Sequence, residues 1–279
     1  MAITINECTV AAESIAAKVK RQHLLTAKHT QDGKVLLDRL TVDAGGTHTL
    51  NIAAGDLAWV QILEGSATLT HARATESLTA AHIVLLPAGF SAALATEGGV
   101  TLIYATVPDA ARFDAAFAQS PPCFKIVDWT REPMLDSEHD ARKRIYVVTP
   151  KLFSTKAIKG EMIIYPPGTQ ASNHHHEGAE HFMYVLKGQG TAYANESPIP
   201  VRKGDLIYYD DRERHYLRSE GDEELAFVEF FVPGEYKTIW APGAAICTWT
   251  PTGRSISGMP PVRQIARHSS ADVASPADV

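Results

Sequence analysis

The sequence predicts an all-β protein in which one unit occurs twice. Short apolar stretches of about 4–8 residues recur between Gly, Pro and Asp clusters, the spacing expected of strands and turns. The composition agrees, with 19 Gly, 16 Pro and few long runs of strong helix formers among 279 residues. Residues 57–63, 82–86, 182–186 and 205–209 read as strands. Only 110–119 and 11–22 read as helical, and both are short and peripheral.

Self-comparison supports the doubling. Trp59-Val60-Gln61-Ile62-Leu63-Glu64-Gly65 and Phe182-Met183-Tyr184-Val185-Leu186-Lys187-Gly188 share an aromatic start, an aliphatic pair, a charge and a glycine, offset by 123 positions. The same offset carries the turn Pro87-Ala88-Gly89 onto Asp210-Asp211-Arg212. The boundary is expected near Ser120-Pro121-Pro122, where two prolines oppose helix continuation. That gives one unit over 1–120, a second over 121–268, and a disordered tail over 269–279.

Composition excludes several classes. A net charge of −6 argues against a nucleic-acid or anionic-membrane binder, which needs a Lys and Arg excess on one face. Cys8, Cys123 and Cys247 form no paired spacing, so neither a disulfide framework nor a thiolate zinc site is expected. No window approaches 18 uninterrupted apolar residues and the N-terminus lacks a signal-peptide pattern, so a cytoplasmic protein is expected. The distinctive feature is histidine: there are 12, three of them consecutive.

The second half reads Gly168, five residues, His174-His175-His176, four residues, His181, six residues, Gly188, then Gly204, ten residues, His215. This resembles the two cupin motifs, G-x5-H-x-H-x3/4-E-x6-G and G-x5-P-x-G-x2-H-x3-N. Asp210, Arg212 and Ser219 replace the usual Pro, Gly and Asn of the second. The resemblance implies a bicupin: two jelly-roll (double-stranded β-helix) barrels with short peripheral helices, each with a metal-sized pocket in its mouth.

Within that frame His174 and His176 lie two apart on a strand and share one face, while His175 points away. His181 stands where the family usually carries glutamate, and the neighbouring strand supplies His215. Four neutral imidazoles would suit one divalent ion per chain, Fe2+ first, with Mn2+, Ni2+ or Zn2+ (or Cu2+) as alternatives. If the loop after His176 is one residue shorter, Glu180 takes the place of His181; the spacing to Gly188 favours His181. Subtracting 123 from the four histidines gives Asn51, Ala53, Ala58 and Ala92, so the N-terminal barrel reads as a metal-free copy.

Alternation places Met183 and Val185 beside His181, and Leu217 beside His215. Met162, Ile164, Tyr193, Tyr208 and Phe230 lie on strands that could line the same cavity, a mainly apolar wall suited to a small organic ligand. Arg144 and Arg218 are the candidates for binding a carboxylate, whereas Arg142 and Lys143 read as a solvated charge run. Glu180 and Tyr184, with Glu177 beside them in the loop, are candidates for proton transfer.

The resemblance implies a non-haem Fe(II) dioxygenase acting on a small aromatic or enolic compound. The alternative is a non-redox Mn(II) or Zn(II) hydrolase, lyase or isomerase. The string Tyr184 to Gly190 is similar to the ureidoglycine aminohydrolases, but His174 and His215 stand where they use Glu and Gln, and the interval between His176 and His181 is one longer. A non-catalytic binding bicupin is the third reading. A homodimer with a small-molecule substrate, and neither nucleic acid nor membrane as partner, is expected.

Overall fold

The computed structural model describes residues 2–30 and 32–268; the tail 269–279 lies outside the described residues. The regular secondary structure is almost entirely strand, and the chain folds as two compact units, both all-β. One comprises Glu7–Trp129 with Phe153–Thr155, and the other the strand Ile3–Asn6, Thr130–Leu152 and the chain from Lys156. The division near residue 129 lies later than the two prolines because the strand Lys125–Asp128 still belongs to the first unit, where it pairs with His82–Leu86. At the other end Ile3–Asn6 leaves its own half and pairs with Asp205–Tyr209.

Neither expected helix forms as one. Over 110–119 only the single turn Ala110–Arg112 is helical, and the Asp114 side chain then accepts from the Ala116 amide, which holds the chain in turns. Residues 11–22 instead enter a hairpin, Glu13–Ala16 against Val19–Leu25, with Lys18 left-handed at φ 62° in the turn. Sheet pairing with Leu36–Val42 overrides the alanine-rich local preference.

The duplication reaches the backbone torsions. Residues in the left-handed region recur in pairs 123 apart: Lys18 and Ala141, Gly45 and Gly168, Gly65 and Gly188, Ala72 and Asn195, Gly89 and Arg212. At Gly65 a Cβ would stand 2.2 Å from the Gly99 carbonyl oxygen, and at Gly188 2.3 Å from that of Glu224. Both copies therefore need glycine there for close approach of backbone as well as for torsion.

The C-terminal unit sets two sheets face to face. Eight strands run in the order Ile3–Asn6, Asp205–Tyr209, Glu180–Lys187, Leu225–Val232, Lys159–Tyr165, Lys143–Val148, Met134–Ser137, Trp249–Pro251. Five run in the order Ser197–Arg202, Gln189–Ala194, His215–Glu220, His174–Glu177, Lys237–Trp240. Between them pack Ile163, Tyr165, Met183, Val185, Tyr209 and Phe227 from the first sheet and Ala192, Ala194, Val201 and Leu217 from the second. This is the jelly-roll sandwich.

Candidate metal centre

The histidine strand is short, His174–Glu177, and lies between His215–Glu220 and Lys237–Trp240. Period two turns His174 and His176 to the inner face, where His215 meets them from the adjacent strand. Among the described residues these three form the group whose ligand atoms all lie within 4.8 Å of one another. Their rings are mutually close, with centroids 4.6 Å apart for His174 and His215, 4.9 Å for His174 and His176, and 5.1 Å for His176 and His215.

Each ring is oriented from behind through Nδ1. His174 donates to the Ser172 carbonyl at 2.7 Å, His215 donates to the Glu213 carbonyl at 2.8 Å, and His176 meets Thr238 Oγ1 at 3.1 Å. Those contacts select the tautomer that leaves the Nε2 lone pair for the cavity. Nε2 of His215 is buried with no protein partner. Burial also holds all three pKa values well below the ordinary histidine value, so the rings are neutral. Neutral imidazoles with free inward lone pairs are the donor set that a divalent transition metal requires.

His181 lines the same cavity, but from the eight-stranded sheet. Its ring centroid is 4.9 Å from that of His215, but its ligand atoms stand outside the group of three: its Nε2 is 2.7 Å from Glu229 Oε2, its Nδ1 is buried without a partner, and its ring stacks on Phe231. Burial lowers its pKa to about 3. His175 faces away from the group, 3.5 Å from Glu177.

Facing the three histidines is a charged wall. Glu161 and Glu229 sit directly opposite each other on paired strands, 1% and 7% exposed, and burial raises both pKa values. Like charges at such a pair repel. Arg144 answers Glu161 at 3.1 Å and lies over the Trp249 ring at 4.2 Å, while Lys159 is 3.9 Å from Glu161 and 3.0 Å from the Tyr236 hydroxyl. Arg142, 5% exposed, pairs with Asp140 at 2.7 Å and donates to Tyr165 Oη and Cys247 Sγ, both at 3.1 Å. It is therefore part of the cavity wall and not, as expected, a solvated charge. Arg218 is exposed and lies outside the lining.

Of the expected wall residues, Met183, Leu217 and Arg144 line the cavity, whereas Met162, Ile164, Tyr193, Tyr208 and Phe230 do not. The expected proton-transfer groups Glu180 and Tyr184 also lie outside the lining, because the inner face of Glu180–Lys187 is carried by His181 and Met183. For Met162, Ile164 and Tyr208 the errors have one cause. Lys159–Tyr165 and Asp205–Tyr209 are buried at every position, so no polar alternation marks which side chains turn inward. Ile163 takes the place expected of Met162 and Ile164, and Phe231 that of Phe230.

Sequence reasoning missed Glu161, Glu229 and Lys159. For Glu229 the signal was present, a lone charge in Phe227-Val228-Glu229-Phe230-Phe231, whereas Lys159 and Glu161 stand two apart at the start of one strand. Tyr236, Thr238, Cys247, Trp249 and His268 reach the cavity from the C-terminal segment, and no local pattern places them there. The cavity itself is small, about 60 Å³.

Comparison with known proteins agrees with this architecture. Residues 161–231 match the cupin domain family. An oxalate-binding protein of Thermotoga maritima is 31% identical over 67 residues, which are 24% of this chain and 55% of that protein. Protein SchB of Streptomyces halstedii is 31% identical over 75 residues, 27% of this chain and 54% of that protein. The chain thus spans about half the length of each. Among solved structures, oxalate decarboxylase of Bacillus subtilis at pH 4.6 aligns with a TM-score of 0.66 at 13% identity, covering 85% of this chain and 78% of that one. A second structure of that enzyme, studied for its Mn(II) centres, aligns equally well at 14% identity.

Proposed function

We propose that this chain, a bicupin of the cupin superfamily, is a divalent-metal enzyme whose C-terminal barrel acts on a small carboxylate. The observation that supports the reading is the pairing of three inward, neutral imidazoles with a cavity wall that carries Arg142, Arg144 and Lys159 beside Glu161 and Glu229. A metal held by His174, His176 and His215 gains no counter-charge from its ligands, so the site favours an anion. The cavity volume favours a ligand of a few heavy atoms, in the range of oxalate. The oxalate-binding relative and the decarboxylase fold neighbour support the same ligand class.

When bound, the metal would supply Lewis-acid polarisation of a substrate oxygen and an open position for a second small ligand. The protein's own residues do the rest. Arg144 offers a planar guanidinium held by Glu161 and Trp249, and so presents fixed donors to a carboxylate. Met183, Leu217, Phe227 and Phe231 exclude water and strengthen every charge interaction inside. Carbon–carbon cleavage of the bound acid is the reaction class that fits best.

A second reading keeps the Fe(II) dioxygenase acting on an aromatic or enolic compound, and the rings of Phe227, Phe231, Tyr236 and Trp240 on the wall favour it. Metal analysis of protein purified without added metal, followed by calorimetry with oxalate and assays of CO2 release and O2 uptake, separates the two. One Mn or Fe per chain with saturable oxalate binding and CO2 release supports the first. O2 uptake with catechols or β-diketones and no response to small acids selects the second. Protein that retains no divalent metal rejects both.

A further inference from the structure

We infer that His181 is not a fourth metal ligand but a substrate-facing imidazole, held off the metal by Glu229. The inference rests on the metal-site reading above and assigns the opposite wall of the same cavity. His174, His176 and His215 all project from the five-stranded sheet, and His181 and Glu229 both project from neighbouring strands of the eight-stranded sheet that faces it. The two sets therefore approach the cavity from opposite sides.

The ring orientations differ in the same sense. The three grouped histidines spend Nδ1 on Ser172, Thr238 and Glu213 and keep Nε2 inward. His181 spends Nε2 on Glu229 at 2.7 Å and keeps Nδ1 without a partner. Its ring is also fixed in plane, stacked on Phe231 at 4.4 Å and 13° and on Tyr209 at 5.6 Å and 29°. His181 lies outside the group whose ligand atoms are within 4.8 Å of one another, and bringing its ring into that group would move it off Phe231 and off Glu229, the carboxyl buried directly opposite Glu161. Left in place, the ring keeps both contacts and presents one buried nitrogen to a ligand between the two walls. Glu229 is on this account a positioning residue, and His181 would be a catalytic one.

Pulsed EPR of the Mn(II)-loaded full chain counts directly coordinated imidazole nitrogens and needs no variant. Three are expected, and four overturn the inference while leaving the metal site intact. Mn(II) titration gives the second arm: His181→Gln is expected to bind within about threefold of the parent, and His176→Ala at least 100-fold more weakly. Equal loss in both variants overturns the inference alone. Retention of tight Mn(II) binding by His176→Ala overturns the metal-site reading beneath it. Glu229→Leu tests the positioning role, because release of the ring is expected to add a fourth coupled nitrogen; an unchanged count of three removes Glu229 from the account. Oxalate affinity of Mn(II)-loaded His181→Leu is expected to fall at least tenfold, and unchanged affinity shows that the ring does not face the ligand.

Discussion

His174 and His215 face each other across one cross-strand pair, with ring centroids 4.6 Å apart and each Nδ1 tied to a backbone carbonyl behind it. Two strands of one sheet thereby aim two nitrogens at one point without any loop. Replacing either by alanine, or replacing His176, is expected to abolish metal retention through gel filtration, read as metal per chain. His175→Ala, one position along the same strand but facing Glu177, is expected to keep its full complement.

Thr238 Oγ1 stands 3.1 Å from Nδ1 of His176, behind the ring. Thr238→Val keeps the shape and removes that contact. A loss of about 10–100-fold in metal affinity is expected, with the fold unchanged, since partners of this kind orient the ligand ring and tune its basicity. Direct titration with Mn(II) checks it.

Stability of the metal-free protein is expected to fall as pH drops below about 6.5. His174, His176, His181 and His215 all have folded pKa values below the ordinary 6.5, so the unfolded chain binds protons that the fold refuses. The loss extends toward the folded values, about 3 for His181. Each histidine contributes at most about 1.4 kcal/mol per pH unit within its window. Glu161 and Glu229 act in the opposite sense: their folded values lie above 4.5, so their stabilisation is present at low pH and is lost as pH rises through those values. Four groups against two leave a net loss on acidification, measurable as urea midpoints between pH 7 and pH 4.

Arg144 and Glu161 form a buried pair, at 3.1 Å. Arg144→Met leaves the more distant Lys159 as the cation beside Glu161, and a loss of about 3–5 kcal/mol is expected. Arg144→Met with Glu161→Gln is expected to recover more than half of it, because the uncompensated charge is gone. Denaturant unfolding of both variants and the single Glu161→Gln completes the cycle.

Arg212 occupies the left-handed region at φ 65°, where its counterpart 123 positions earlier is Gly89 at φ 70°. A side chain there is strained, and Arg212→Gly is expected to stabilise by about 0.5–1 kcal/mol. A rise in Tm of the metal-free protein checks it. The carbonyl of His176 accepts from the amide of residue 212, and that contact survives the change.

Much of the architecture is legible without coordinates. The 123-residue offset, read from Gly65 and Gly188 alone, also predicts where Ala72 and Asn195 adopt the same unusual torsion. His174, His176 and His215 are likewise legible, because a two-residue spacing on a strand has a geometric meaning. The inner face of Lys159–Tyr165 is not legible. A strand buried on both sides has no polar half, so Glu161 and Met162 are equally plausible wall residues until the sheet partner is known.

The sequence by itself determined that the chain is all-β, that it is doubled, and that the histidine cluster lies in the second copy, because strand period and repeat offset are local or translational properties. Only the tertiary structure decided which histidines converge. His181 has the right spacing for a ligand, but its nearest polar neighbour is Glu229, 48 positions away on an adjacent strand. That contact depends on the register of two strands, which no window of sequence contains. The cations of the wall were decided in the same way, since Arg142 reads as solvent-facing until Asp140, Tyr165 and Cys247 close around it.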